Sequence, residues 1–318
     1  MRIEELGEFG LIGDLSRLLP SGEGVVKGIG DDAAVVEGGK RGRYLLIAAD
    51  SIAEGVHFRS RVSGRRVGRK ALAVNLSDIA AMGGVPLWAV VSLGLPAGRS
   101  VEYCREIYRG LAELSGEYSL SVVGGDTFRS PGGAMISVTV VGEVEKSRCV
   151  LRSGARPGDV ICVTGTLGGP PREKHLNFTP RLREARLLGE FGPPTAMIDI
   201  SDGLFADLAH ICRASGVGAV IGEDSLPVPG PVRRRGTAAV LRTAGRGEEF
   251  ELLACLPPLS AEVLCRELPA ELTTPLTPIG RIVADPSRLE LIDRRGAPRP
   301  FPDTGYRHFG VGPTQGIE

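Results

Sequence analysis

Aspartates recur in this chain where apolar runs stop. Leu45-Leu-Ile-Ala-Ala-Asp50 is an aliphatic run that ends on a carboxylate; Val122-Val-Gly-Gly-Asp126 and Ala196-Met-Ile-Asp199-Ile-Ser-Asp202 end in the same way. Gly28-Ile-Gly-Asp31-Asp32 sets further acids just before the run Ala33–Val36. Acids at the ends of adjacent buried strands converge on one rim of a sheet. Singly, each reads equally well as a turn or a helix cap, and Asp202, followed by Gly-Leu-Phe, fits a cap in particular. Gathered, they repel: two carboxylates ~4 Å apart cost about 4 kcal/mol at an effective dielectric near 20, so a cluster needs a cation. Oxygen ligands with no Cys or His beside them select Mg²⁺ or Mn²⁺ over zinc.

Lys70-Ala-Leu-Ala-Val-Asn75-Leu-Ser-Asp78-Ile-Ala-Ala-Met82 is apolar almost all round, the mark of a buried helix, and places Asn75 and Asp78 on one face. A buried aspartate is costly unless paired or bound to metal; bonding to backbone amides is the other way to satisfy it. Gly28-Ile-Gly30-Asp-Asp-Ala33 formally fits a dinucleotide-binding loop, but its two acids would repel a pyrophosphate, so that fold is rejected. No G-x-x-x-x-G-K-[ST] loop occurs. Gly124-Gly125-Asp126 and Thr164-Gly-Thr-Leu-Gly168 could bring amides to phosphates or could be plain tight turns. His57, just beyond the Asp50 strand end, is a site candidate or a loop histidine; His175, His210 and His308 are less clearly placed.

Alternating elements must position these groups. Strand-like runs span Tyr44–Ala49, Ala89–Gly94, Leu120–Val123, Met135–Glu143, Val160–Thr164, Ala196–Ile200 and Gly218–Ile221. Helical patterns fit Gly68–Met82, Val101–Tyr118, Arg181–Leu188, Leu204–Ala214 and Ala261–Glu267. Their uneven alternation predicts an α+β fold, a mixed-sheet α/β arrangement rather than a regular barrel. The turn cluster Arg152–Asp159 marks a boundary, which divides the chain into 1–147 and 148–318, and the lack of a low-complexity linker predicts two halves that pack tightly. With 42% hydrophobic and 24% charged residues the composition is globular; the formal net charge of zero weighs against a nucleic-acid binder. The six cysteines show no zinc spacing, the N-terminus has no signal-like apolar stretch, and no run is long enough to span a membrane. A cytoplasmic protein with reduced thiols is expected.

Taken in order, these segments resemble the thiamine-monophosphate kinase family of the aminoimidazole ribonucleotide synthetase-related ATP-binding superfamily. The matching stretches are Gly28–Asp32, Asp50 through Glu54-Gly-Val-His-Phe58, Lys70–Gly83, Val123-Gly-Gly-Asp-Thr127, Arg152–Asp159, Val163-Thr-Gly-Thr166, Ile198–Leu204, Gly247-Glu-Glu-Phe-Glu-Leu252 and Gly305-Tyr-Arg-His-Phe309. The resemblance implies a two-domain fold and transfer of phosphate from ATP to thiamine monophosphate. It implies that Asp32, Asp50, Asp78, Asp126 and Asp199 hold several Mg²⁺ ions, with Asp202 as a further ligand. Gly125, Asp126, Arg152 and Ser201 would contact ATP, and His57, Glu248 and Tyr306 would contact thiamine monophosphate. The N-terminal halves would pair into a homodimer beside the nucleotide site. No general base is expected, because a phosphate monoester loses its second proton near pH 6 and attacks as the anion.

Three departures stand out. Ala48 and Ala49 replace the family's hydroxyl residues, Gly247-Glu-Glu-Phe-Glu251 replaces Gly-Glu-Asp-Tyr-Glu, and Pro170-Pro-Arg-Glu-Lys174 replaces an alanine-rich helix. They keep two further possibilities in play: a sister enzyme that uses ATP on another phosphorylated acceptor, and a protein that binds nucleotide or thiamine phosphate without turnover.

Overall fold

The computed structural model describes residues 2–20, 22–38, 40–168, 174–266, 274–306 and 308–309. The N-terminal half runs α1 (Ile3–Ser16), β1 (Val25–Lys27), β2 (Ala34–Val36), β3 (Arg43–Ala53), α2 (Gly64–Ala81), β4 (Val85–Leu95), α3 (Val101–Glu117), β5 (Ser121–Arg129) and β6 (Met135–Glu145). Its strands form one sheet in the order β1-β2-β3-β6-β4-β5, antiparallel except for the β4/β5 pair.

The C-terminal half follows with β7 (Val160–Thr164), α4 (Lys174–Asn177), α5 (Leu182–Phe191), β8 (Ala196–Asp199), α6 (Leu204–Ser215) and β9 (Gly218–Gly222). It closes with α7 (Gly230–Arg233), α8 (Thr237–Ala244), β10 (Leu252–Leu256), α9 (Pro258–Arg266), β11 (Leu276–Val283), β12 (Leu289–Ile292) and β13 (Pro298–Pro300). The second sheet is ordered β13-β12-β9-β11-β7-β10-β8. Pro278 is tolerated inside β11 because it sits at a bulge against Cys162, where a missing N–H costs no ladder bond.

Helix α2 explains its own composition. It packs on β3, β4 and β6 of its own half and on α4, α5 and β8 of the other, so nearly every side is covered. One apolar core runs through it, from Leu46, Val138 and Val140 of the first sheet to Leu182, Ala185 and Leu188 of α5 and to Leu252 and Ala254 of β10. A second core, with Leu204, Leu208 and Val240, lies on the far face of the C-terminal sheet. The tight packing of the two halves, expected from the missing linker, is therefore observed. Helices α2 and α3 cross at backbone contact: a Cβ at Gly68 would fall 1.9 Å from the Ile107 carbonyl oxygen, and one at Gly110 would fall 1.9 Å from that of Arg65.

Every strand and helix read from the sequence recurs, with α2 starting a turn earlier, at Gly64, and with β3 and β5 running on past Asp50 and Asp126 to Ala53 and Arg129. The loop Gly28–Ala33 joins two strands and opens no helix, in keeping with the rejection of a dinucleotide-binding fold. Among the described residues, no helix is long and apolar enough to cross a membrane. The altered stretch at 170–173 and the residues from Val311 lie outside the described residues.

Candidate functional site

Asp32 precedes β2, Asp78 lies in the last turns of α2, and Asp199 ends β8; a carboxylate oxygen of each lies within 4.8 Å of the others. The cluster stands at the junction of the halves, where Ser77 Oγ donates to Asp199 Oδ2 at 2.5 Å. Asp50 reaches the same place from β3: its N–H donates to Asn75 Oδ1 at 2.9 Å, while the Asn75 amide donates back to the Ala71 carbonyl. Asn75 therefore anchors the middle of β3 on α2; Asp50 and Asp126 do not end their strands as the sequence suggested, because pairing with β6 and β4 carries β3 on to Ala53 and β5 on to Arg129.

Burial sets the protonation of these groups. Asp199 is pushed up to about 8, by burial first and then by the charge of Asp32, against the Ser77 hydrogen bond and Arg152. Asp78 is raised well above the carboxylate range by burial and then by Asp50, Asp199 and Asp32. Asp50 is exposed as a residue, yet the crowding of its carboxyl by protein atoms raises it likewise, and burial lifts Asp202 to about 6. Arg152 is the compensating cation: its Nη2 donates to Asp32 Oδ1 at 2.7 Å, and its main-chain N–H donates to the Asp31 carboxylate at 3.1 Å. Asp32 Oδ2 and Arg152 Nε are buried without a partner. An orphaned carboxylate oxygen amid three acids fits a divalent cation, and an orphaned guanidinium N–H beside it fits an anionic oxygen.

Asp202 does not cap the helix that follows it. Gly203 is the N-cap of α6, with φ 119, and the Asp207 carboxylate accepts the N–H groups of Asp202 (3.2 Å) and Gly203 (3.0 Å). Reaching back from the first turn, Asp207 thereby leaves the Asp202 carboxylate uncommitted. Ser201 lies in the same bend, its carbonyl accepting the Glu248 N–H at 2.7 Å.

The three expected acceptor contacts also meet here. The Tyr306 N–H donates to the Asp202 carbonyl at 3.0 Å, and His308 stands edge-on to the Tyr306 ring at 4.7 Å and 5.7 Å from His57. His57 Nδ1 accepts the Ala53 N–H at 3.1 Å, which leaves the proton on Nε2. Burial, then Lys70 and His308, hold its pKa down to about 4, so it is a neutral donor at pH 7. Glu248 takes a left-handed backbone, φ 62, and its carboxylate meets the fully buried Lys70 of α2.

Gly125 and Asp126 are not brought to this cluster within one chain. They lie on β5, the sheet edge, three strands across from β3. At ~4.8 Å per strand that is about 14 Å along the sheet. A Cβ at Gly125 would fall 1.9 Å from the Val91 carbonyl oxygen, which accounts for that glycine by packing. The Thr164–Gly168 loop is a structural turn, with the Gly165 and Leu167 N–H groups spent on the Pro275 and Pro227 carbonyls.

Comparison with known proteins identifies the family. The family profile "AIR synthase related protein, N-terminal domain" matches residues 30–144, and the corresponding C-terminal domain matches 168–292. Thiamine-monophosphate kinase of Rhodopirellula baltica is 34% identical over 92% of this chain and 93% of its own, and that of Bacillus subtilis is 32% identical over 96% and 100%. The chain belongs to the thiamine-monophosphate kinase family. A solved structure described as AaThiL complexed with AMPPCP and TMP superposes with a TM-score of 0.81 at 33% identity, covering 97% of this chain and 99% of that one. The two-domain α+β fold expected from the sequence is the fold of this family.

Sequence reasoning named Asp32, Asp50, Asp78, Asp199 and Asp202, which the structure gathers here, but gave no role to Asp31, Lys70, His175 or Asp207. Lys70 carried a readable signal: it is a charge inside a helix apolar on every side, the same feature that singled out Asp78. Asp31, His175 and Asp207 act through partners that sequence spacing does not reveal.

Proposed function

We propose that this chain transfers the γ-phosphoryl group of ATP to thiamine monophosphate. The acceptor's phosphate oxygen forms a bond to the γ-phosphorus, the bond from that phosphorus to the bridging oxygen breaks, and thiamine diphosphate and ADP leave. The observation that carries this is the Asp32–Asp78–Asp199 cluster, with Asp32 and Asp199 buried, Asp78 half-buried and the Asp32 Oδ2 orphaned, in a chain of this family. The complex of AaThiL with AMPPCP and TMP adds support, since it pairs an ATP analogue with that acceptor in a relative of the same fold.

Asp32, Asp50, Asp78 and Asp199, with Asp202, would hold Mg²⁺. Bound there, Mg²⁺ would neutralise phosphate charge. Arg152, whose Nε is unspent, would bind a phosphate oxygen, and Ser201, in the bend with Asp202, would contact the nucleotide beside it. Neutral His57 is placed to donate a hydrogen bond rather than to take a proton, in keeping with an acceptor that is already anionic at neutral pH. Tyr306 would stack on a heterocycle, and Glu248 would pair with the acceptor's cationic ring.

The half 1–147 would carry ATP, Mg²⁺ and the pairing surface, and 148–318 would complete the nucleotide and acceptor site. Pairing into a homodimer is supported by the outer face of the first sheet. Ile47, Val141 and Trp88 form one row across β3, β6 and β4, and Ile47, Trp88, Val90 and Val123 are all exposed. It would also let Gly125 and Asp126 join a nucleotide site, at the acid cluster of the partner copy. A cytoplasmic setting accords with six cysteines that are all free.

Incubation with ATP, Mg²⁺ and thiamine monophosphate, followed by chromatography, tests the proposal. Thiamine diphosphate that disappears with EDTA is expected. ATP binding without that product would overturn it and turn the search to another phosphorylated acceptor or to ligand sensing.

A further inference from the structure

Lys70 is the least explained charge in the molecule. Its ammonium is wholly buried on α2 and meets three acceptors: the His57 carbonyl at 2.8 Å, His175 Nδ1 at 2.9 Å, and the Glu248 carboxylate. An ammonium has three N–H donors, so its bonding is complete and directional. Burial, then Lys70 and neighbouring arginines, hold His175 down to about 3, so that ring is neutral and accepts. Taking a lysine out of water costs several kcal/mol unless it is paired and hydrogen-bonded, and apolar residues of similar size pack such a place at least as well. Stability alone therefore gives little reason for a charge here.

The geometry around it supplies one. His57 follows β3 in the N-terminal half; Glu248 precedes β10 in the C-terminal half; and α2 lies between them. Glu248 is held in a left-handed backbone that a non-glycine residue adopts only when its surroundings impose it. Its N–H is fixed on Ser201, and its side chain stays one quarter exposed beyond the lysine.

We infer that Lys70 is a positioning residue for thiamine monophosphate, one ammonium fixing the His57 main chain from one half and the Glu248 carboxylate from the other. Its three N–H groups are spent on protein acceptors, which leaves none for a nucleotide or phosphoryl oxygen. The inference rests on His57 and Glu248 being the acceptor's contacts. It adds that their spacing is set by a buried charge at the junction of the halves, so acceptor binding depends on the registration of one half against the other.

The test compares wild type, Lys70→Met, Lys70→Arg, Glu248→Gln and the Lys70→Met/Glu248→Gln pair, measuring kcat and both KM values. Lys70→Met is expected to raise KM for thiamine monophosphate at least tenfold and to leave KM for ATP within twofold. The double variant should lose less than the product of the two single losses, because part of the Lys70 effect acts through the Glu248 carboxylate, and Lys70→Arg should recover part of the loss. Additive losses, or equal rises in both KM values, would overturn the inference. Should Lys70→Met not fold, Lys70→Gln is read by the same criteria. If the wild type makes no thiamine diphosphate, the functional proposal falls by itself. Lys70 is then judged by calorimetry with thiamine monophosphate: a loss of affinity in the variant sustains it, and an unchanged affinity overturns it.

Discussion

Replacing Asp199 by Asn separates the electrostatics of the acid cluster from its packing. The two side chains have the same shape, and the amide oxygen of Asn still accepts from Ser77 Oγ. Burial and Asp32 raise the Asp199 carboxyl from 3.8 to about 8. The folded chain therefore holds a proton that the unfolded chain releases, so folding stability is fully present below pH ~4 and falls as pH rises towards 8. The slope is about 1.4 kcal/mol per pH unit, which accumulates to about 6 kcal/mol above pH 8. The Asn variant lacks this titration, so between pH 5 and pH 7 it should gain about 3 kcal/mol on the parent. At roughly 2 °C per kcal/mol that is about 6 °C in Tm. Asp78, relieved of one neighbour, recovers some charge, so half of that gain is the least expected. The assay is thermal unfolding in EDTA at pH 5, 6, 7 and 8. A Tm difference between variant and parent that does not change with pH would refute the reasoning. So would an Asn variant that gains as much Tm from millimolar Mg²⁺ at pH 7.5 as the parent does, since binding stabilises only a site able to bind.

Further outcomes follow from other parts of the molecule. Asp78→Asn should fold at least as well as the parent without metal, yet lose Mg²⁺-dependent turnover by a hundredfold or more; full activity would remove Asp78 from the site. Trp88→Arg places a charge in the exposed Ile47–Val141–Trp88 row and should convert a dimer into a monomer by light scattering. Turnover should fall with it if Asp126 acts from a partner copy; a variant that stays dimeric would point to another pairing face. Gly68→Ala puts a methyl 1.9 Å from the Ile107 carbonyl oxygen and should cost about 1–3 kcal/mol in denaturant unfolding, with both KM values near those of the parent. An unchanged midpoint would show that α2 and α3 separate freely.

Much of this protein could be read from the order of its residues. Aliphatic runs that lead into aspartates and a helix apolar on every side are local patterns, because side-chain alternation and the helical repeat are local geometry; of the acids read as strand ends, only Asp199 is one, since Asp50 and Asp126 lie inside β3 and β5. These patterns located Asp32, Asp50, Asp78 and Asp199, and the structure draws Asp32, Asp78 and Asp199 into one cluster. Helix α1 gave no such pattern: its apolar residues are spread round the helix, the backbone breaks at Gly7, and none of its described residues is buried. Strand β11 was hidden by Pro275 and Pro278, whose place depends on a bulge against another strand. Other features were settled only by the tertiary structure. That Asp202 is left uncommitted, that Arg152 neutralises Asp32 from 120 positions away, and that Asp126 lies across the sheet from the other acids are facts of packing. The same is true of Lys70 and Glu248, 178 positions apart. A carboxylate and an ammonium meet at such a distance only after two separately formed halves dock on α2, and no periodicity in the chain encodes which acid the lysine will find.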